Sequence, residues 1–316
     1  MKNTIITLLL MSNIFWIGCE DSNDDKKTGI EVYTDDINLK PQLYNFESMQ
    51  FVSTYDLKFM AGNMSYLVEM NSAAGVMAAV DNEAGFDHAT KPLSGYMADS
   101  ADLVIGDQWM DINTYNPSDH SIQTNGAVYF LRTMDYEWVK FMVLSATPTA
   151  FNIQYAIQVD DSTFGTIQTL TINYSDIEPT YFDFTNGSSV TPVDWSMSFL
   201  TVPIYSPETG TVFYMPTVLL NYDMSIYVAI LKDTPYESVI EIPSNVTWMQ
   251  DSSSARILDV NGENSTFVYH PEPPYNHQVI VENPDYVYLL NTGNGFYKLR
   301  FIDYSSGIIL FEYECL

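Results

Sequence analysis

One pattern of three short strands occurs twice in this chain, and it restricts the possible folds more than any other feature. Each copy has three runs of β-branched and aromatic residues separated by Gly, Asn, Asp and Ser: 128–133, 138–142 and 151–155 in the first copy, 287–292, 297–301 and 311–313 in the second. Short runs of this composition are typical of strands. Because a pattern that returns in sequence indicates a repeated structural unit, we expect two copies of one β domain.

The segments before these hairpins also match in order. An aromatic pair near Tyr44 precedes an alternating strand at 55–59, and a pair near Tyr181 precedes one at 195–199. Alternation of this kind places every second side chain on one face of a sheet. No long stretch of helical period follows the amino terminus, so the sequence predicts an all-β protein of antiparallel sheets.

Each half also has a middle segment that contains aromatic residues and a histidine. His120 precedes the first repeated hairpin, and His277 stands in the matching place before the second. Matched positions indicate a shared structural role, such as hydrogen-bonding a loop. The predicted domains are residues 37–160 and 161–316.

The amino terminus has the features of an export signal. Lys2 precedes an apolar stretch at 5–17, which is shorter than the roughly 20 residues that a spanning helix needs. The small residue Gly18 directly before Cys19 resembles a bacterial lipoprotein signal, in which the cysteine becomes lipidated. We therefore expect a signal peptide at 1–18 and a lipid on Cys19, and the alternative is an ordinary signal peptide with a chance cysteine.

An acidic run follows Cys19. Residues 20–25 resemble the surface-export tag of Bacteroidetes lipoproteins, and a solvated tether explains them as well. Residues 19–36 are predicted to be the lipidated cysteine and this tether. The expected location is the outer membrane, lipid-anchored and exposed at the cell surface, with the lipid as the only contact with the membrane.

Composition excludes several classes of function. The chain has 12 Lys and Arg against 40 Asp and Glu, a net charge of −28, and it lacks the basic patches that nucleic-acid binding requires. It contains no nucleophile elbow, zinc-protease motif, phosphate-binding loop or dinucleotide fingerprint, so we expect a protein that is not an enzyme. The 23 tyrosines suit half-buried strand faces and also faces that contact a ligand.

These landmarks resemble the HmuY family of haem-binding surface lipoproteins. In the first half the resemblance rests on 55–59, 71–76, Arg132 and Lys140, and in the second on Trp195, Phe199 and Lys298. Ser196 and Asn291 stand where the family favours Asp and Arg. The resemblance implies two tandem β-sandwich domains and a non-enzymatic function.

The resemblance also implies a haem site. Family members hold the iron between two histidines, and this would assign His270, His277 and Met249 to cofactor binding, with His270 and His277 as metal ligands. The first half lacks a histidine in the corresponding segment. The implied function is capture of haem or a related tetrapyrrole from free haem or a host haem protein, for delivery to an outer-membrane receptor. The alternative is a surface module that binds protein or glycan and has lost the haem site.

Overall fold

The computed structural model describes residues 29–62, 65–175, 178–252 and 255–316. The predicted signal peptide, Cys19 and the tether up to residue 28 lie outside the described residues. Where it is described, the chain is all-β, as predicted, with only short helical turns between strands. None of its described helices has the length and apolar character needed to cross a membrane.

The first half of the chain forms strands of very different length, with a helix of one turn between two of them. In chain order these elements are β1 (Ile30–Tyr33), β2 (Gln42–Asn45), β3 (Gln50–Val52), β4 (Leu57–Gly62), β5 (Ser65–Met70), β6 (Met77–Asp81), α1 (Gly85–His88), β7 (Met110–Asn116), β8 (Ser121–Thr124), β9 (Val128–Arg132), β10 (Trp138–Thr147), β11 (Ala150–Asp160), β12 (Thr163–Phe164) and β13 (Gln168–Asn173).

The remaining strands follow in the same order. They are β14 (Thr180–Asp183), β15 (Ser188–Val190), β16 (Met197–Ser206), β17 (Thr211–Leu220), β18 (Tyr227–Leu231), β19 (Leu258–Asp259), β20 (Phe267–His270), β21 (Gln278–Val281), β22 (Val287–Asn291), β23 (Phe296–Ser305) and β24 (Ile308–Cys315). Short 3₁₀ turns lie at Ser72–Ala74, Tyr222–Met224 and Tyr236–Ser238.

The two predicted three-strand patterns form antiparallel meanders. The first is β9-β10-β11 and the second is β22-β23-β24. Each meander is the centre of a sheet with the same strand order, β6-β9-β10-β11-β13 in one and β18-β22-β23-β24-β1 in the other. The topology therefore repeats as the sequence pattern does.

Two further sheets share four strands in matching order, β15-β14-β4-β5 in one and β3-β2-β16-β17 in the other. The second sheet has β19 as a fifth strand, beside β17. The hairpin β7-β8 joins the end of β10, and β20-β21 forms a separate hairpin.

Strand pairing exchanges two segments between the halves of the chain. The sequence order places the Tyr44 segment with the first copy, but β2 pairs with β16 of the second. It places the Tyr181 segment with the second copy, but β14 pairs with β4 of the first. Both segments are short aromatic strands, so their local sequence does not determine which sheet each one joins. The domain boundary at residue 160 thus remains a prediction. Strands pair across it, because β2 precedes it and pairs with β16, whereas β14 follows it and pairs with β4.

β-Structure starts earlier than the sequence predicted. Residues 30–33, inside the predicted tether, form β1 and pair with β24 in register from Ile30 opposite Tyr313. A strand with few apolar residues can form here because the edge of the sheet at β24 supplies its hydrogen-bond partners.

Two large clusters of buried side chains stabilise the sheets. The first includes Phe59, Trp109 and Phe151, and the second includes Phe199 and Phe311. Burying an aromatic side chain contributes about 2–3 kcal/mol each, so these clusters dominate the stability. β2 contacts both, since Leu43 packs in the first cluster and its neighbour Tyr44 in the second.

Matched turns also repeat. The backbone N–H of Asn71 donates to Asp56 O and its side chain to Tyr55 O. Asn221 makes the same two contacts in the second half, to Ser196 O and Trp195 O. The motif at 71–76 that supported the family resemblance is therefore a structural turn.

Candidate functional site

A cleft of about 370 Å³ lies beside the β20-β21 hairpin, where it meets β17 and the β23-β24 turn. Its lining combines aromatic rings with neutral polar groups: Asn38, Tyr214, Met215, Pro216, Tyr269, His277, Gln278, Val279, Ile280, Tyr304, Ser305, Ser306 and Gly307. Concave sites with apolar walls and a few polar groups are the usual form of ligand pockets.

The turn at one side of the cleft depends on a glycine. Gly307 has a φ of +84°, and a Cβ there would lie 1.9 Å from Oδ1 of Asp36. That carboxylate oxygen accepts hydrogen bonds from the backbone and side-chain nitrogens of Asn38, at 2.9 and 2.8 Å. Only glycine fits this conformation without displacing Asn38 from the cleft wall.

His277 is the one sequence-predicted ligand residue that lines this cleft. Its Nδ1 lies 2.6 Å from the phenol oxygen of Tyr269, and its backbone N–H donates to His270 O at 2.8 Å. Its φ of 66° is in the left-handed region, which is uncommon for residues other than glycine. The phenol fixes the imidazole and leaves Nε2 as the ring nitrogen that can face a ligand.

The same arrangement occurs in the β7-β8 hairpin. His120 has a φ of 57°, and its Nδ1 lies 2.5 Å from the phenol oxygen of Tyr115. The prediction that His120 and His277 share a structural role is therefore confirmed. Both histidines close a hairpin turn through a tyrosine.

His270 lies on the other face of the β20-β21 hairpin. It follows Tyr269 directly in β20, and neighbouring strand residues point to opposite faces. Its Nε2 lies 2.8 Å from Oε1 of Glu282, a close ion-pair distance without the direction of a good hydrogen bond. Its ring contacts Tyr275 at 4.8 Å between centroids.

Met249 does not line the cleft beside the β20-β21 hairpin. Its backbone pairs with Val228, its side chain packs against the second core cluster, and its sulfur lies 3.9 Å from Nδ2 of Asn264. The residues assigned from the family resemblance therefore do not converge on one haem, because His270 and His277 face opposite ways and Met249 lines neither side. Within the described ranges, no group of three His, Cys, Asp or Glu residues could hold a metal ion.

Two charged groups lie behind the cleft wall: the carboxylate of Asp36 contacts Asn38, and the guanidinium of Arg132 lies 4.8 Å from the ring centroid of Tyr214. Among the described residues that line the cleft, none is Asp, Glu, Lys or Arg. Burial raises the pKa of Tyr304, so this phenol stays protonated and acts as a neutral hydrogen-bonding group. Such a wall can stack on a flat apolar surface and bond to hydroxyl groups, but it cannot neutralise a charged ligand.

Sequence reasoning missed most of this cleft. Tyr214 and Tyr304 lie on strands that resemble ordinary sheet strands, and Asn38 comes from the segment before β2. The signal that could have found it is the pair of Tyr269 and His277, eight residues apart in a Pro-rich segment. The rest is assembled from segments far apart in the chain.

A second cleft, of about 430 Å³, is lined by the carboxylates of Glu69, Asp99, Asp223 and Asp251. Two of them have structural roles. Asp99 accepts hydrogen bonds from the backbone N–H groups of Met70 and Val104, and Asp251 accepts those of Leu220 and Ile257. Burial raises the pKa of Asp251 to about 6. These aspartates stabilise matched turns, so we do not assign this cleft a function.

Comparison with protein-family models, curated proteins and solved structures finds no match to this chain.

Proposed function

We propose that this protein is a non-enzymatic binding protein that holds a neutral glycan in the cleft beside the β20-β21 hairpin. The observation that carries this proposal is the lining of that cleft, with three tyrosine rings, neutral amide and hydroxyl groups, and no charged side chain among the described residues. Its anchored imidazole, His277, is a further hydrogen-bonding group.

The chemistry of a sugar matches this lining. A pyranose ring presents apolar C–H faces and hydroxyl edges, so it needs flat aromatic surfaces beside donors and acceptors in fixed positions. Tyr214, Tyr269 and Tyr304 supply the surfaces. Asn38 and Gln278 supply amide groups that both donate and accept.

The predicted domain organisation and lipid anchor complete the proposal. The repeated strand order supports two copies of one β unit, and we propose that these are HmuY-like sandwich domains in tandem. The lipid on Cys19 would place the cleft at the outer surface of the cell, where extracellular glycans are available. Protein partners remain the other ligand class for such a surface.

A glycan array with the soluble chain from residue 20 onward tests the proposal, followed by calorimetry on the best ligand. We expect binding of neutral glycans that weakens at least about tenfold in Tyr269→Phe, which keeps the ring but loses the contact with His277. Tyr115→Phe makes the same change in the matched hairpin, away from the cleft, and should leave binding unchanged. Equal losses in both variants, or no glycan binding at all, would reject the proposal.

Haem capture is the second candidate, and one observation favours it. A histidine whose Nδ1 is held by a phenol is suited to bind iron through Nε2. The neutral wall gives the two carboxylates of haem no cationic partner, which is why we rank this candidate below the glycan.

A hemin titration separates the two candidates. A shift of the Soret band that is lost in His277→Ala and retained in His270→Ala would favour haem. An unchanged spectrum in the wild-type protein would eliminate it.

A further inference from the structure

Lys140 is a buried cation on the face of β10 that α1 covers. It is 8% exposed, and its Nζ lies 4.8 Å from the ring centroid of Phe86 and 5.3 Å from that of Phe164. Aromatic faces attract a cation by about 0.5–2 kcal/mol. Nζ of Lys140 is not among the buried side-chain atoms that lack a hydrogen-bond partner in the described residues, so the ammonium group keeps contact with solvent and is open to a ligand.

Lys140 lacks an acidic partner. Among the described residues, none places a carboxylate within ion-pair distance of its Nζ, and no hydrogen bond to Nζ is formed. Its neighbour across the strand pair is Ala156, which has no polar side-chain atom. Burial lowers the pKa of Lys140, and only the more distant Asp87 favours its charge.

The second half of the chain shows what this position can bind. Lys298 stands at the equivalent place in β23, opposite Glu314. Its Nζ lies 3.1 Å from Oε2 of Glu314 and donates to Tyr236 O at 3.0 Å. Tyr236 covers Lys298 with its ring centroid 4.3 Å from Nζ, as Phe86 covers Lys140.

The next pair along the strands differs in the same way. Arg300 binds Glu312 in the second half, with Nη2 to Oε2 at 2.8 Å. The corresponding pair in the first half is Met142 and Gln154, which carry no charge. With 40 acidic residues in the chain, the missing carboxylates do not result from a shortage of acids.

A second cation lies on the same sheet face. Nζ of Lys91 donates to Oε1 of Gln158 at 2.8 Å and lies 4.5 Å from the ring centroid of Trp138. Trp138 and Lys140 are two residues apart in β10, so their side chains share one face. Lys91 is not ion-paired either among the described residues, although Asp161 lies near enough to favour its charge, as Asp87 does for Lys140.

We propose that Lys140 binds the carboxylate of an external ligand with an aromatic body, in the position that the Glu314 carboxylate takes on Lys298. The rings of Phe86 and Phe164 flank Nζ of Lys140, with centroids at 4.8 and 5.3 Å, and suit an aromatic body. Lys91 adds attraction for the anionic group. The proposal does not depend on the cleft beside the β20-β21 hairpin, so the two sites can be tested separately.

Benzoate is a suitable probe, with benzamide as its neutral counterpart, and both can be titrated into the full soluble chain by calorimetry. We expect benzoate to bind in the millimolar range or more tightly and benzamide to bind at least about tenfold more weakly, because a charge-assisted hydrogen bond is lost.

The decisive variant is Ala156→Glu, which supplies the carboxylate found in the second half. It should abolish benzoate binding, since it satisfies Lys140 internally. Lys140→Met should also abolish binding, and circular dichroism would establish that each variant is folded. Equal affinities for benzoate and benzamide, or undiminished benzoate binding in a folded Lys140→Met protein, would overturn the proposal.

Discussion

Lys140 and Lys298 occupy the same position in two sheets of the same strand order, yet only Lys298 contacts a carboxylate. Arg300 and Glu312 repeat the difference, because the equivalent pair in the first sheet is uncharged. The shared order is therefore maintained by the backbone ladder and the apolar core face. The charges on the other face vary without changing the topology.

Arg132 and Asn291 show the same freedom at the end of the repeated strand. Asn291 accepts a hydrogen bond from Gly293 N within its own turn, at 2.9 Å. Arg132 donates instead to Thr201 O in β16, at 2.5 Å, and stacks on the ring of Tyr136 at 3.6 Å from its centroid. One copy uses the position for a local turn, and the other uses it to join the two halves of the chain.

The largest effect is expected from cutting the chain according to strand pairing. A fragment of residues 55–195 keeps every buried member of the first core cluster except Leu43. A fragment of residues 37–160, cut by sequence order, loses Phe182, Phe184 and Trp195 from the same core. We expect the first fragment to unfold cooperatively in urea and the second to show no cooperative transition.

Nuclear magnetic resonance spectra of the two fragments provide the check. Dispersed amide signals from 37–160, with a collapsed spectrum from 55–195, would mean that the exchanged strands do not complete the sheets.

Breaking the internal ion pair should give the next largest effect. Glu314→Ala leaves Lys298, 2% exposed, without a carboxylate, as Lys140 is, and with Tyr236 O as its remaining hydrogen-bond partner. We expect a loss of about 3–5 kcal/mol in the free energy of unfolding, because an uncompensated buried charge remains. Urea unfolding measures this change.

Glu312→Ala is the matched control. Its partner Arg300 is more accessible to solvent and also lies near Glu237, so the loss should stay below about 1 kcal/mol. Similar losses in both variants would show that burial of Lys298 does not set the energy of its ion pair.

The smallest effect is the change in the free energy of unfolding per pH unit that depends on Asp56. The equivalent residue in the second half is Ser196. The carboxyl of Asp56 is buried and accepts hydrogen bonds from Met134 N and Phe184 N, both at 2.9 Å. Burial raises its pKa from 3.8 to about 7. Between these values the unfolded chain releases the proton that the folded protein keeps, so the free energy of unfolding falls as pH rises, by up to about 1.4 kcal/mol per pH unit.

Asp56→Asn isolates this contribution, because other buried acids such as Asp251 remain in both proteins. Urea unfolding between about pH 4 and pH 7 should show a flatter pH dependence in the variant. Parallel curves for the variant and the wild-type protein would contradict the raised pKa.

Much of the local structure could be predicted from the sequence. Alternating runs at 128–133 and 287–292 became β9 and β22, and the matched histidines close matched turns. These features depend on neighbouring residues, so a local pattern contains the information. A local pattern could not predict whether the proposed haem ligands come together in space. His270 and His277 are close in sequence but face opposite sides of one hairpin.

The sequence by itself determined that this chain is all-β, that one strand pattern occurs twice, and that the chain is strongly acidic. Only the tertiary structure decided that β2 and β14 pair across the halves. It also decided that Lys298 receives a carboxylate while Lys140 does not. The physical reason is that alternation is a property of adjacent residues, whereas edge pairing and charge compensation depend on residues that meet only after the chain has folded.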